Sequence, residues 1–297
     1  MAPTVTVVTP AYKRLEYLKV AIDSALCQTF DDFELLVADD SNCAEIKEYV
    51  ESIADIRLRY VARTQNLGIA LNNWTAFQEA TGEYIAKLDD DDAWDSEFLA
   101  RLVPIIASDV RIGLIFCDHW LIDEFGEVME KDSLIQSEKY GRGDLSQGIT
   151  PDPLMVALRG TVPFACASIA RAAVLKTVEF DSAIGGAYDR WCPVQIALSG
   201  SQFYYVPERL TRYRIHAGSG TATRETQNME ENIYLSRTLA GDPRLERYRR
   251  FLLRRECDFI RHYARLCLRN RAYSKFLRVA LRYLLLRAMA VKGSSSS

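Results

Sequence analysis

Tyr84-Ile85-Ala86-Lys87-Leu88-Asp89-Asp90-Asp91-Asp92-Ala93-Trp94 passes from a short apolar segment straight into four consecutive carboxylates. The first five residues have the length and composition of a buried strand. The acids need a reason to follow it. Four adjacent anions repel, so at a strand end they either face solvent in a turn, with Asp92 or Asp95 capping the next helix, or share a cation. Mg²⁺ and Mn²⁺ take hard oxygen ligands, commonly one or two carboxylates plus waters and substrate phosphates, which points toward nucleotide-diphosphate chemistry.

Outward from this stretch, Val5 to Thr9, Phe33 to Ala38 and Leu58 to Ala62 share the strand character, and helical patterns near Leu15 to Gln28, Cys43 to Ile53 and Ile69 to Ala80 separate them. Strict alternation of strand and helix predicts an α/β fold, a parallel sheet covered on both faces with ligands beyond the carboxyl ends of its strands. A second acidic pair, Asp39-Asp40, closes another strand ahead of Ser41-Asn42. Acids at that edge can accept hydrogen bonds from a nucleobase or ribose, and the same residues also suit a plain Asx turn. Thr9-Pro10-Ala11-Tyr12 brings a hydroxyl and a ring to the same edge. The absence of a G-x-G-x-x-G or Walker loop weakens the usual dinucleotide and P-loop readings.

Beyond Asp95 the expected order is a helix to about Ala107, a strand around Gly113 to Asp118, a hairpin-like Leu121 to Met129 turning at Phe125-Gly126, and a polar mobile loop from Lys131 to Pro153. Strand-like Ala165 to Ala170, a helix around Arg190 to Leu198, and two strands near Phe203 to Val206 and Thr211 to Ile215 follow. Asp118, His119 and Trp120 are candidates to line an acceptor side. From about Met229 the chain reads as helices, and Pro243 to Lys292 holds fifteen basic residues against three acids in a chain of net charge −3. Arg271, Lys275, Arg278 and Arg282 form a basic stripe beside Phe276, Leu277, Leu281, Leu284 and Leu285. Such a helix either lies on an anionic membrane surface or packs in a helical subdomain with its arginines solvated. The seven cysteines form no C-x-x-C pair and no zinc spacing, so reduced thiols are expected. No secretory pattern or membrane-length apolar run is present, which gives a cytoplasmic expectation. No nucleic-acid module accompanies the basic tail, so no nucleic-acid partner is expected.

In matching order, Val7-Val8-Thr9-Pro10-Ala11-Tyr12-Lys13-Arg14, Gln28-Thr29-Phe30, Phe33-Glu34 before Asp39-Asp40, Asn66-Leu67-Gly68, and Gly82-Glu83-Tyr84-Ile85 leading into Asp89 to Asp92 resemble glycosyltransferase family 2. The likeness extends through Gly185-Gly186-Ala187-Tyr188-Asp189-Arg190-Trp191 and Tyr213-Arg214-Ile215-His216-Ala217-Gly218-Ser219. It implies a GT-A (Rossmann-like) fold, a mostly parallel sheet flanked by helices over residues 1–220, with a basic helical extension over 221–297. It further implies an inverting, metal-dependent enzyme that moves a sugar from a nucleotide-diphosphate donor, UDP-sugar favoured, to the hydroxyl of a glycan, lipid-linked or other acceptor. The setting implied is bacterial polysaccharide, glycan or glycolipid synthesis.

Residue by residue, the resemblance assigns Thr9, Tyr12 and Asp40, with Asp39, to the nucleoside, and Asn66 and Gly68 to the loop under the donor. Asp89-Asp90-Asp91 stands for the D-x-D motif: Asp91 binds Mg²⁺ or Mn²⁺, and Asp89 and Asp90 reach ribose or bound water. His216 approaches the metal or diphosphate, and Asp189 is the catalytic base. The family pattern has Glu-Asp where this chain has Tyr188-Asp189, so a supporting carboxylate is missing. Two other readings are a degenerate nucleotide-sugar-binding scaffold, against which the surviving acids argue, and a sugar nucleotidyltransferase, whose glycine-rich triphosphate loop Thr9 to Arg14 lacks. The C-terminal helices are expected to serve peripheral contact at the inner face of the cell membrane or homo-oligomer formation.

Overall fold

Strand and helix alternate through the first ninety residues as the apolar periodicity requires: β1 (Val5–Ala11), α1 (Leu15–Leu26), β2 (Phe33–Asp39), α2 (Ala44–Ser52), β3 (Leu58–Ala62), α3 (Gly68–Glu79) and β4 (Tyr84–Lys87). The computed structural model describes residues 2–292. Val5, Val7, Leu35, Val37, Ala86 and Leu88 bury one face of these strands against Leu18 and Ile22 of α1 and Ile46 and Val50 of α2. Both faces of a parallel sheet are covered in such a layering, which is why its strands read as nearly continuous apolar runs.

The chain continues through β5 (Ala93–Trp94), α4 (Phe98–Ser108), β6 (Ile112–Ile122), α5 (Glu130–Lys139), β7 (Gly148–Ile149), α6 (Pro153–Arg159), β8 (Ser168–Arg171), α7 (Ala172–Leu175), α8 (Tyr188–Leu198) and β9 (Gln202–Arg214). The sheet order is β3-β2-β1-β4-β8-β6-β9-β5, with β7 on β9. β3, β2, β1 and β4 are mutually parallel, β8 is antiparallel to both β4 and β6, and β9 returns parallel to β6. Chain order runs outward from β1 in both directions, so the β1/β4 boundary is a topological switch point, where open α/β sheets form a crevice beyond the strand ends. Val8 pairs with Lys87 and Ala11 with Asp39, so Thr9 to Tyr12 lies at the same edge as both acidic segments.

Two expectations are corrected. Lys131 to Pro153 is not one mobile loop, since it carries most of α5 and all of β7; the buried residues of α5 are Ser133 and Ser137, which give no apolar period to read. The two strands expected near Phe203 and Thr211 are one strand. Val206 pairs with Cys117 and Arg209 with Asp118, so Pro207 and Glu208 bulge out of the ladder, where a proline costs no sheet hydrogen bond. The turn at Phe125-Gly126 forms, with Met129 N–H donating to Leu121 O at 2.8 Å and Gly126 at φ +94°.

Two compact units result: residues 2–180 with 189–219, and residues 181–188 with 220–292. The second contains α9 (Gly220–Thr223), α10 (Glu225–Gly241), α11 (Arg249–Arg269) and α12 (Tyr273–Lys292). Its core gathers Ile233, Ile260, Tyr263 and Cys267, with Phe276, Val279 and Tyr283 of α12 packed against them. Glu256 is fully buried there and accepts from Arg237 at 3.2 Å and Arg282 at 3.1 Å.

Candidate active site

Leu88 N–H donates to Val8 O at 3.0 Å, carrying the β1–β4 pairing one residue past β4, and the four acids then fan apart. Asp89 is ion-paired with Lys87, whose side chain is buried. Asp90 turns toward β1, accepting from Tyr12 N–H at 3.0 Å and pairing with Arg14. Asp91 Oδ2 receives Arg14 Nη1 at 2.5 Å and lies 3.0 Å from His216 Nε2. Asp92 is buried; its Oδ1 accepts from Arg214 N–H at 2.9 Å, and its Oδ2 has no hydrogen-bond partner among the described residues. Ligand oxygens of Asp89, Asp91 and Asp92 lie within 4.8 Å of one another.

Burial pushes Asp89, Asp90 and Asp92 above the ordinary carboxylate range, Asp90 to about 7. Lys87 opposes burial at Asp89 and Arg14 opposes it at Asp90, while the neighbouring Asp91 carboxylate adds to it at all three. The run is therefore short of positive charge. Its donor set of hard carboxylate oxygens with one imidazole, and the orphaned Asp92 Oδ2, fit Mg²⁺ or Mn²⁺.

Around this centre, Arg214 donates from Nε to Asp91 O at 2.9 Å and lays its guanidinium 4.8 Å from the Tyr17 ring. The edge of His216 packs on the same ring, 4.8 Å between centroids. Tyr17 thus fixes both Arg214 and His216 at the end of β9. Asp189, in the first turn of α8, is half-buried; burial raises its pKa, Arg190 and Lys87 lower it, and Asp89 raises it. The base candidate and the acidic run share one electrostatic neighbourhood.

The nucleoside-side candidates are placed differently. Thr9 Oγ1 is buried with no hydrogen-bond partner among the described residues, and Tyr12 is exposed with Lys13 Nζ 5.0 Å from its ring centroid. Asp39 Oδ1 accepts from Ser41 N–H and Oγ at 2.8 and 2.6 Å, and its Oδ2 from Tyr60 O–H at 2.8 Å. Asp40 accepts from the N–H groups of Leu67 at 2.6 Å and Gly68 at 2.8 Å, capping α3, while Asn66 Nδ2 donates to Asp40 O at 3.2 Å. Lys13 (φ +61°) and Asn42 (φ +53°) hold left-handed backbone just after β1 and β2, local strain of the kind that collects at functional edges.

Asp118 and His119 do not line an open surface. Both are buried, and Asp118 accepts from Ser137 Oγ at 2.6 Å and Arg142 Nε at 2.8 Å and is ion-paired with Arg209 Nη2 at 3.2 Å. His119 is held near a pKa of 4, first by burial and then by Arg142. Trp120 lies beneath the Arg209 guanidinium at 4.7 Å. This cluster ties α5 to β6 and β9. Sequence reading gave no separate role to Arg14, Lys87 and Arg214, and named Asp92 individually only as one of two possible helix caps in the alternative to a shared cation. A lysine at the end of a buried strand just before four acids was the available signal for one of them.

Residues 6–140 match the model of glycosyl transferase family 2. A glycosyltransferase of Methanocaldococcus jannaschii, MJ1057, is 28% identical over 221 residues, 72% of this chain and 71% of that protein. The Escherichia coli protein WfgD, a UDP-Glc:alpha-D-GlcNAc-diphosphoundecaprenol beta-1,3-glucosyltransferase, is 33% identical over 119 residues, 40% of this chain and only 47% of its own length. Among solved structures, S. aureus TarS in complex with UDP superposes with a TM-score of 0.61 at 16% identity over 88% of this chain and 71% of that one. The mannosyltransferase PcManGT from Pyrobaculum calidifontis, in complex with GDP-Man and Mn²⁺, gives 0.59 at 18% identity over 98% and 87%. These superpositions identify the fold as GT-A.

Proposed function

From the match of residues 6–140 to glycosyl transferase family 2, we propose that this chain is a member of that family and transfers a sugar from a uridine diphosphate donor to an acceptor hydroxyl, with inversion, in bacterial polysaccharide synthesis. The observation that carries this reading is the cation-hungry group Asp89, Asp91 and Asp92, with His216 on Asp91, at the β1/β4 switch point. The uridine assignment draws on the donor named for WfgD and the UDP bound to TarS.

Asp89, Asp91, Asp92 and His216 would hold Mg²⁺ or Mn²⁺, which when bound supplies Lewis-acid neutralisation of the departing diphosphate. Asp189 accepts the proton of the acceptor hydroxyl as that oxygen bonds to the anomeric carbon and the bond to the diphosphate oxygen breaks. Its raised pKa makes it a stronger base than an exposed aspartate. Tyr188 stands where the family pattern has a second acid, so Asp189 acts without a carboxylate neighbour in sequence. Thr9 and Tyr12 border the nucleoside, while Asp39, Asp40 and Asn66 shape its floor through the bonds they make to Ser41, Tyr60 and the start of α3.

A thermal-shift panel of uridine, guanosine and thymidine diphospho-sugars with Mn²⁺ tests this, since a ligand that binds only the folded state raises its stability with concentration. Uridine donors are expected to give the largest shift, and no shift from any nucleotide would refute the reading. The anomeric configuration of the product, by NMR, tests inversion.

A further inference from the structure

The apolar residues of α12 divide between two faces. Ala272 just before the helix and Phe276, Val279 and Tyr283 within it pack on the core of the second unit, whereas Tyr273, Leu277, Leu281 and Leu284 are 61 to 67% exposed. The exposed four recur at spacings of four, four and three residues, so they form one stripe on the helix. Contiguous exposed leucines of this kind mark a surface that something covers.

Charge on the helix identifies the occupant. Lys275 pairs with Glu230 at 3.0 Å and Arg282 with buried Glu256 at 3.1 Å, while Arg278 and the preceding Arg271 are exposed. Across Tyr273–Lys292 there is no acidic residue at all. A second copy meeting the stripe would bring like charges together, whereas an anionic surface would meet Arg271 and Arg278 with the opposite sign. Among the described residues no helix is long and apolar enough to cross a membrane. An apolar stripe bordered by cations on a helix of this kind suits one that lies in the interface plane.

We infer that α12 docks the chain on an anionic lipid bilayer, with Tyr273, Leu277, Leu281 and Leu284 entering the headgroup–acyl boundary and Arg271 and Arg278 facing lipid phosphates. The inference is independent of the transferase reading.

Vesicle flotation with the full chain tests it, comparing phosphatidylcholine alone with phosphatidylcholine containing phosphatidylglycerol, at low and high salt. Flotation is expected only with the anionic vesicles and should weaken with salt. L277D/L281D is expected to lower partitioning about 100-fold or more, from the burial energy of two leucines. Arg278→Ala should lower it about fivefold. Circular dichroism establishes that the helices persist in each variant, and a Tyr273→Trp variant quenched by brominated lipid reads insertion without disturbing the leucines. Absent flotation with anionic vesicles, or unchanged flotation of L277D/L281D, would overturn the inference. So would a dimer, seen by light scattering, that L277D/L281D dissolves while vesicle binding stays absent.

Discussion

Asp39-Asp40 and Asp89 to Asp92 both follow parallel strands on the same edge of the sheet, with β1 between them, yet they are satisfied by opposite means. At the end of β2 each carboxylate oxygen meets hydrogen-bond donors: Ser41 and Tyr60 at Asp39, and the amides that open α3 at Asp40. At the end of β4 the cations Lys87 and Arg14 carry most of the pairing, joined by the Tyr12 and Arg214 amides and His216, and one oxygen of Asp92 has no partner among the described residues. Acids at a strand end are therefore not one kind of feature. Donors fix a loop, whereas a shortage of donors leaves charge that a metal can neutralise.

The largest effect should follow from Asp91→Ala. Loss of a ligand that offsets several kcal/mol of leaving-group charge is expected to cut Mn²⁺-dependent turnover by about 10³-fold or more. Asp189→Asn should lower kcat by roughly 10² to 10³-fold while leaving donor affinity in place, separable by steady-state kinetics and nucleotide calorimetry. Asp40→Ala acts on the fold instead: urea unfolding should show a loss of about 1–2 kcal/mol for the missing cap, with Mn²⁺ affinity unchanged. If Asp40→Ala abolished metal binding, the contrast between the two ends would fail. Arg14→Met removes a cation that competes for Asp91 and is expected to tighten Mn²⁺ binding without nucleotide by about fivefold.

Glu34 gives the smallest effect and sharpens the same point. Burial alone would raise it, but bonds from Arg59, Thr6 and Thr81 outweigh burial and hold it at about 2, whereas burial, with Asp91 and Asp89 adding to it, pushes Asp90 up to about 7. A depressed folded-state pKa adds stability above the ordinary value of 4.5 that is lost as pH falls through about 2. Glu34→Gln should flatten the stability profile across that window in urea titrations.

The parallel half of the fold was legible because its strands are apolar runs and its helices have a clear period. The later elements were harder to read for identifiable reasons. α5 buries serines, and Pro207 interrupts the apolar pattern of β9 although the strand passes it as a bulge. In the site, the acidic run announced itself by charge repulsion alone. His216 and Asp91 are 125 residues apart, and only resemblance to a family brought the histidine toward the acidic run, where the structure puts its Nε2 3.0 Å from Asp91 Oδ2. Arg14 was hidden because an arginine after a strand has no local partner in sequence; its acids lie across the switch point on the next strand. The buried Asp118–Arg142 cluster misled because an exposed acceptor loop and a buried ion network use the same residue types.

Electron paramagnetic resonance titration of Mn²⁺ into the protein with uridine diphosphate, for the wild type and Asp91→Ala in parallel, bears most directly on the acidic run as a metal centre. Saturable Mn²⁺ binding is expected in the wild type and not in Asp91→Ala. Equal binding by both proteins, or none by the wild type, would contradict it.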